Sequence, residues 1–181
     1  MQKARRLTIN NDDKGFTLIE LLVVIVIIGI LISIGAMMYL GNRDKAAVRT
    51  IQASAKGAIA EIQQYLDAYN SGGPFIVLDA AGQEICVQSN NAGPLTTCQA
   101  LFNQSNNGNV YNSINDIVNY IIAHHQGRKE VDPHSGSTFL FVNNAAPWTI
   151  SLTALGNSGV SVVGYADSNT LPIFSYTVAG R

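Results

Sequence analysis

The sequence predicts an α+β chain with one long N-terminal α-helix, a short extra helix and a small four-stranded antiparallel β-sheet. Three observations carry this. Residues 16–40 are almost wholly apolar, apolar residues then recur at steps of three and four as far as Tyr69, and four β-rich runs close the chain. A length of 181 residues suits one modest domain with an appendage and allows a core without a disulfide framework. Charged residues make up only 13%, against about a quarter in an ordinary soluble domain, so apolar residues must be concentrated somewhere. A mean hydropathy of +0.16 points the same way. The 11 Lys and Arg nearly balance the 12 Asp and Glu, which argues against a dedicated nucleic-acid binder.

The apolar excess lies in residues 16–40, whose only charge is Glu20. As a helix this stretch is about 37 Å long and spans a ~30 Å hydrocarbon layer. It is too long for the apolar region of an ordinary cleaved signal peptide. Lys3, Arg5, Arg6 and Lys14, set against Asp12 and Asp13, give a positive flank that stays cytoplasmic, so the rest of the chain faces outward. Val48, Ile51, Ala55, Ile59, Ile62, Leu66 and Tyr69 continue the helix as an amphipathic extension, which Asn70-Ser71-Gly72-Gly73-Pro74 ends.

Residues 71–109 then read as a loop region holding a strand-like run at 75–78 and both cysteines. Residues 110–125 read as a short helix presenting Val110, Ile114, Ile117, Val118, Ile121 and Ile122 on one face, ended by Gly127. Runs at 138–142, 148–153, 160–165 and 173–178, joined by short turns rich in Asn, Gly, Pro and Asp, favour an antiparallel meander within residues 137–178.

One motif decides the functional reading. Lys14-Gly15-Phe16-Thr17-Leu18-Ile19-Glu20-Leu21-Leu22 joins a basic leader ending in Gly, an aromatic residue and a single carboxylate at a fixed offset within an apolar run. It resembles the class III signal of type IV pilins and of the pseudopilins of type II secretion systems. The likeness runs residue by residue over about 14–40 and beyond that only in architecture.

It implies the type IV pilin fold, with the long helix packed at its C-terminal half against the four-stranded sheet. It also implies a leader at residues 1–15, a membrane and polymerisation helix at 16–40, and a head at 41–181 whose helical part is 41–70. A prepilin peptidase then cuts between Gly15 and Phe16 and N-methylates Phe16. The commonest pilin pattern has proline where this chain has Met37, which leaves helix flexibility to Gly29 and Gly35.

Physical chemistry agrees with the motif. A lone carboxylate in a membrane helix costs about 2–3 kcal/mol or more and marks a functional site that needs a partner. The new α-amino group of Phe16 is such a cation, and in a stack of parallel helices it meets the Glu20 of a neighbour. The alternative places Glu20 at the membrane surface near the helix N-terminus, where the helix dipole favours it. Once out of the bilayer, the apolar helix needs burial among copies of itself.

Weaker signals have plainer readings. Cys86 and Cys98, in an exported segment where oxidation is expected, favour a bridge over free or metal-bound thiols. Such a bridge contributes about 2.5–3 kcal/mol in the entropic account. His124, His125 and His134, with Asp132 nearby, invite a metal. Adjacent helical histidines point about 100° apart, however, and a solvated helix end is favoured. Asp167-Ser168-Asn169-Thr170 has the composition of a calcium loop, and major pseudopilins bind calcium between late strands; one carboxylate favours a plain turn. No catalytic spacing surrounds the Ser, His and Asp residues, so no enzyme, cofactor or metal site is expected.

The expectation is a structural subunit of a type IV pilus, a homo-oligomeric helical filament serving adhesion, motility or DNA uptake. The precursor spans the inner membrane once with its C-terminal domain in the periplasm and works with pilus or secretion assembly machinery. The alternatives are a pseudopilin of a type II secretion system and a monomeric membrane-anchored binding domain.

Overall fold

The computed structural model describes residues 15–157, 159–167 and 171–180, with the side chains of Met37 and Leu40 excepted. Residues 1–14 of the expected leader and residues 168–170 of the candidate calcium loop lie outside this set. The chain divides into one compact unit ending at Gly41 and a second starting at Asn42.

Helix α1 runs Leu18–Ser71. In the first unit none of the described side chains of residues 16–36 is buried; Phe16 is 81% exposed and Ile25 60%. Among the described residues this is the one helix long and apolar enough to cross a membrane. The helix ends as its breaker predicts. Gly72 takes φ 66°, Gly73 N donates to the Ala68 carbonyl at 2.9 Å and Gly72 N to the Tyr69 carbonyl at 3.1 Å. This is the Schellman closure, which glycine enters without strain.

The second unit holds the core. From α1 it takes Ile51, Ala55, Ala58, Ile62, Tyr65 and Leu66, so the expected apolar stripe is the buried one, with Val48, Ile59 and Tyr69 half-buried at its margins. Opposite them lie Ile150, Leu152, Val160, Val162 and Val178 of a four-stranded sheet. Its strands are β4 (Phe141–Val142), β5 (Ile150–Ala154), β6 (Gly159–Tyr165) and β7 (Pro172–Ala179), in that order. Gly164 permits the close approach of α1. A Cβ there would lie 3.0 Å from Ile51 Cγ2 and 3.4 Å from Phe174 Cβ. Each large aliphatic side chain buried in this way contributes about 1.5–3 kcal/mol.

Two expectations about the sheet are corrected. The run at 138–142 contributes only Phe141 and Val142, which pair in parallel with Ile150 and Ser151. A meander would have made them antiparallel. Residues 143–149 instead carry the chain back beside β4, with Trp148 in the left-handed region at φ 61° and its N–H on the Ala166 carbonyl at 2.5 Å.

The loop region is also more regular than expected. Besides β1 (Phe75–Leu78), it contains β2 (Glu84–Ser89) and the short helix α2 (Cys98–Phe102), and just beyond it, where the short helix was expected to begin, lies β3 (Val110–Tyr111). These strands form a second sheet in the order β1-β2-β3, antiparallel between β1 and β2 and parallel between β2 and β3.

Val110 therefore belongs to a strand, and the second helix, α3, spans Ile114–Gly127. Its start is fixed by a capping box in which Ser113 Oγ accepts from Asp116 N while the Asp116 carboxylate accepts from Ser113 N. Ile114, Ile117, Val118, Ile121 and Ile122 face the core as expected. At the far end Gly127 abuts the β1–β2 turn so closely that a Cβ would collide with the Asp79 carbonyl.

Candidate processing and assembly site

The motif occupies the start of α1. Thr17 is the N-cap, and its carbonyl accepts the Leu21 N–H at 3.3 Å. Glu20, three residues on, folds back over the helix end: its Oε2 accepts from Thr17 N at 2.9 Å and from Thr17 Oγ1 at 2.8 Å, while Glu20 N donates to Thr17 Oγ1 at 3.3 Å. This reciprocal pair is a capping box, which satisfies two N–H groups that a helix start otherwise leaves open. Within the subunit Glu20 thus has a partner at its own helix end. Both bonds end on Oε2, and among the described residues Oε1 takes none.

Gly15 and Phe16 precede the helix outside any regular element, both exposed. Gly29 and Gly35 are helical, and among the described residues a Cβ at either position meets nothing within 4 Å. Packing inside the subunit therefore does not demand glycine there. The position where the commonest pattern has proline is Met37, whose side chain lies outside the described set.

In the second unit Cys86 and Cys98 form a disulfide, tying β2 to the first turn of α2. The Thr97 cap and a bond from Cys98 N to Gln88 Oε1 at 2.9 Å hold that turn.

The histidines depart from the expected solvated helix end. His125 is 3% exposed and stacks on Phe141 with ring centroids 3.7 Å apart. Its Nδ1 lies 2.9 Å from Glu130 Oε2 and its Nε2 3.8 Å from Glu61 Oε2. Burial holds the His125 pKa below its ordinary value despite both carboxylates. His124 accepts the Leu78 N–H on Nδ1 at 2.9 Å and reaches Glu61 Oε1 with Nε2 at 3.1 Å. The rings do diverge, at an interplanar angle of 72°, yet both reach Glu61 because it rises from α1 between them.

His134 lies elsewhere, stacked on Trp148 at 4.3 Å and accepting from Arg43 Nη2 at 2.7 Å. Asp132, 2% exposed, is saturated by its own loop: it accepts backbone N–H groups from His134, Ser135, Ser137 and Thr138 and the hydroxyls of Ser135 and Thr138. Burial pushes this carboxyl up, but the Ser135 and Thr138 bonds outweigh it and hold the group well below the ordinary range. Among the described residues no three His, Cys, Asp or Glu converge as a metal-binding group.

Sequence reasoning passed over two features. The Thr17–Glu20 box was legible as T-x-x-E ahead of an apolar run. Glu61, on the amphipathic extension, carried no such signal, because its histidine partners come from more than 60 residues further along the chain.

Comparison with known proteins bears on the first unit. No curated protein and no solved structure matches the chain. A family model described as the prokaryotic N-terminal methylation motif matches residues 10–36, a span that includes Gly15, Phe16, Thr17 and Glu20. The chain therefore carries, at the start of its long helix, the class III prepilin signal of type IV pilins and pseudopilins.

Proposed function

We propose that this chain is the structural subunit of an extracellular type IV pilus. It enters the inner membrane through residues 16–40 with the domain that follows in the periplasm. Prepilin peptidase cuts between Gly15 and Phe16 and methylates the new amine, and the subunits polymerise through their N-terminal helices. The observation that carries this reading is a matched methylation motif leading into an apolar helix of which no described side chain in residues 16–36 is buried, in a chain whose second unit has a core of its own. Apolar surface of that extent is stable only in lipid or among copies of itself.

Assembly then turns on charge. In the growing bundle the Phe16 amine of one subunit meets Glu20 of its neighbour. The capping box supports this division of labour, since it occupies Oε2 and leaves Oε1 to accept the amine. Glu20 caps its own helix and pairs with the next. The disulfide fits an exported, oxidised head.

Shearing surface material from cells and examining it by negative stain tests the reading. Long filaments that contain this chain are expected. Subunits confined to the membrane fraction would overturn it in favour of a pseudopilin or a monomeric anchored domain.

A further inference from the structure

The second unit contains a chemical feature that filament assembly does not use. A cavity of about 500 Å³, within the usual size range of small-ligand sites, opens between α1 and the segment after α3, lined by Gly57, Glu61, His125, Arg128 and Glu130 among others. His125 is 3% exposed, and among the described residues its Nε2 has no hydrogen-bond partner. Buried polar atoms are rarely left this way without a reason.

The surrounding bonds fix what that atom is. Glu130 Oε2 lies 2.9 Å from His125 Nδ1, and Arg128 Nε holds the other carboxylate oxygen of Glu130 at 3.1 Å. A carboxylate there takes the Nδ1 proton in a hydrogen bond, so in the neutral ring Nε2 carries a lone pair. The group facing it, Glu61 Oε2 at 3.8 Å, is also an electron-pair donor. Glu61 is held in turn: its Oε1 accepts from Tyr65 Oη at 3.2 Å and from His124 Nε2 at 3.1 Å. His124 Nδ1 accepts a backbone N–H, so its Nε2 must carry the proton, and His124 is an orienting group with no free lone pair.

We propose that His125 Nε2 and Glu61 Oε2 are the two protein ligands of a divalent transition-metal ion of the zinc class. Glu130 orients the histidine, His124 and Tyr65 orient the carboxylate, and water from the cavity fills the remaining positions. A histidine that gives its other N–H to a carboxylate is the usual arrangement of a metal ligand. An imidazole with a carboxylate suits zinc, nickel or copper better than calcium or magnesium. Zinc bonds of about 2.0–2.2 Å place neighbouring tetrahedral ligands about 3.4 Å apart, so the 3.8 Å gap needs to close by only a few tenths of an ångström.

The test uses the full chain in detergent micelles, stripped with chelator and titrated with ZnCl₂ by calorimetry, alongside nitrogen-15 NMR of the histidine rings. The expected result is one ion per chain, a large shift of His125 Nε2, and a His124 Nε2 that keeps its proton. Glu61→Gln, on a side chain that is 24% exposed, is expected to weaken binding at least tenfold. Glu130→Gln acts through orientation and is expected to weaken it about tenfold with the same stoichiometry. Zinc binding that Glu61→Gln leaves unchanged overturns the proposal. So does a His125 Nε2 that is protonated at neutral pH and unmoved by zinc, which would make the 3.8 Å contact a plain ion pair.

Discussion

Replacing Glu20 by Gln separates two tasks that the wild-type carboxylate combines. A glutamine side chain at the same position still accepts from Thr17 N, so the capping box survives and the helix start loses at most a few tenths of a kcal/mol. What it loses is charge. In the water-poor centre of a helical bundle, removing one partner of an ion pair leaves the other charge unpaired at about 3–5 kcal/mol, or roughly two to three and a half decades in the assembly constant. Thr17→Ala does the reverse. It removes the Thr17 Oγ1 bonds to Glu20 Oε2 and from Glu20 N, costing about 1 kcal/mol, a factor of about five, and leaves the charge in place. The assay is sheared filament per cell, normalised to subunit in the membrane fraction. Glu20→Gln is expected to abolish filaments at normal membrane levels, and Thr17→Ala to retain most of them. Wild-type yield from Glu20→Gln together with failure of Thr17→Ala would refute the pairing and make Glu20 a cap alone.

Three further outcomes concern the second unit, each measured on the full chain in detergent. Replacing Cys86 and Cys98 by Ser is expected to cost about 2.5–3 kcal/mol in denaturant unfolding, and no change in midpoint would show that the closed loop constrains nothing. Gly164→Val puts methyl groups where Ile51 and Phe174 already stand at 3.0 and 3.4 Å, and is expected to lower stability by about 1–3 kcal/mol in thermal unfolding. Asp132→Ala leaves a set of part-buried donors without their acceptor and is expected to cost about 1–3 kcal/mol near neutral pH. Because the folded carboxyl titrates well below its unfolded value, this contribution is complete above about pH 5, begins to fade as pH falls below about 4 and is lost only as pH falls on through the lower folded value. The difference between wild type and variant must shrink on acidification, and a constant difference would contradict the hydrogen-bond account.

Where periodicity was long, the sequence was legible. Ile51, Ala55, Ile62 and Leu66 recur at helical steps and are fully buried, and the alternation of Val160, Val162 and Gly164 in β6 marks the face that packs on α1. Short elements set by distant partners were not. β2 and β3 meet in a parallel pair of two residue steps, which no local pattern encodes. Val110 fits the helical face of α3 by spacing alone, while the Ser113–Asp116 box three residues later shows where the helix begins. The parallel entry of β4 depends on left-handed Trp148, a conformation rare for a bulky side chain. In the motif, the residues were readable because they are adjacent in sequence.

Mass spectrometry of the sheared filaments tests the central claim most directly. The account predicts filament subunits that begin at Phe16 with one added methyl group on its amine. They lack four basic and two acidic leader residues, so the formal charge moves from −1 to −3. Filaments built from uncut chains that still carry residues 1–15, or surface filaments that do not contain this chain, would contradict it.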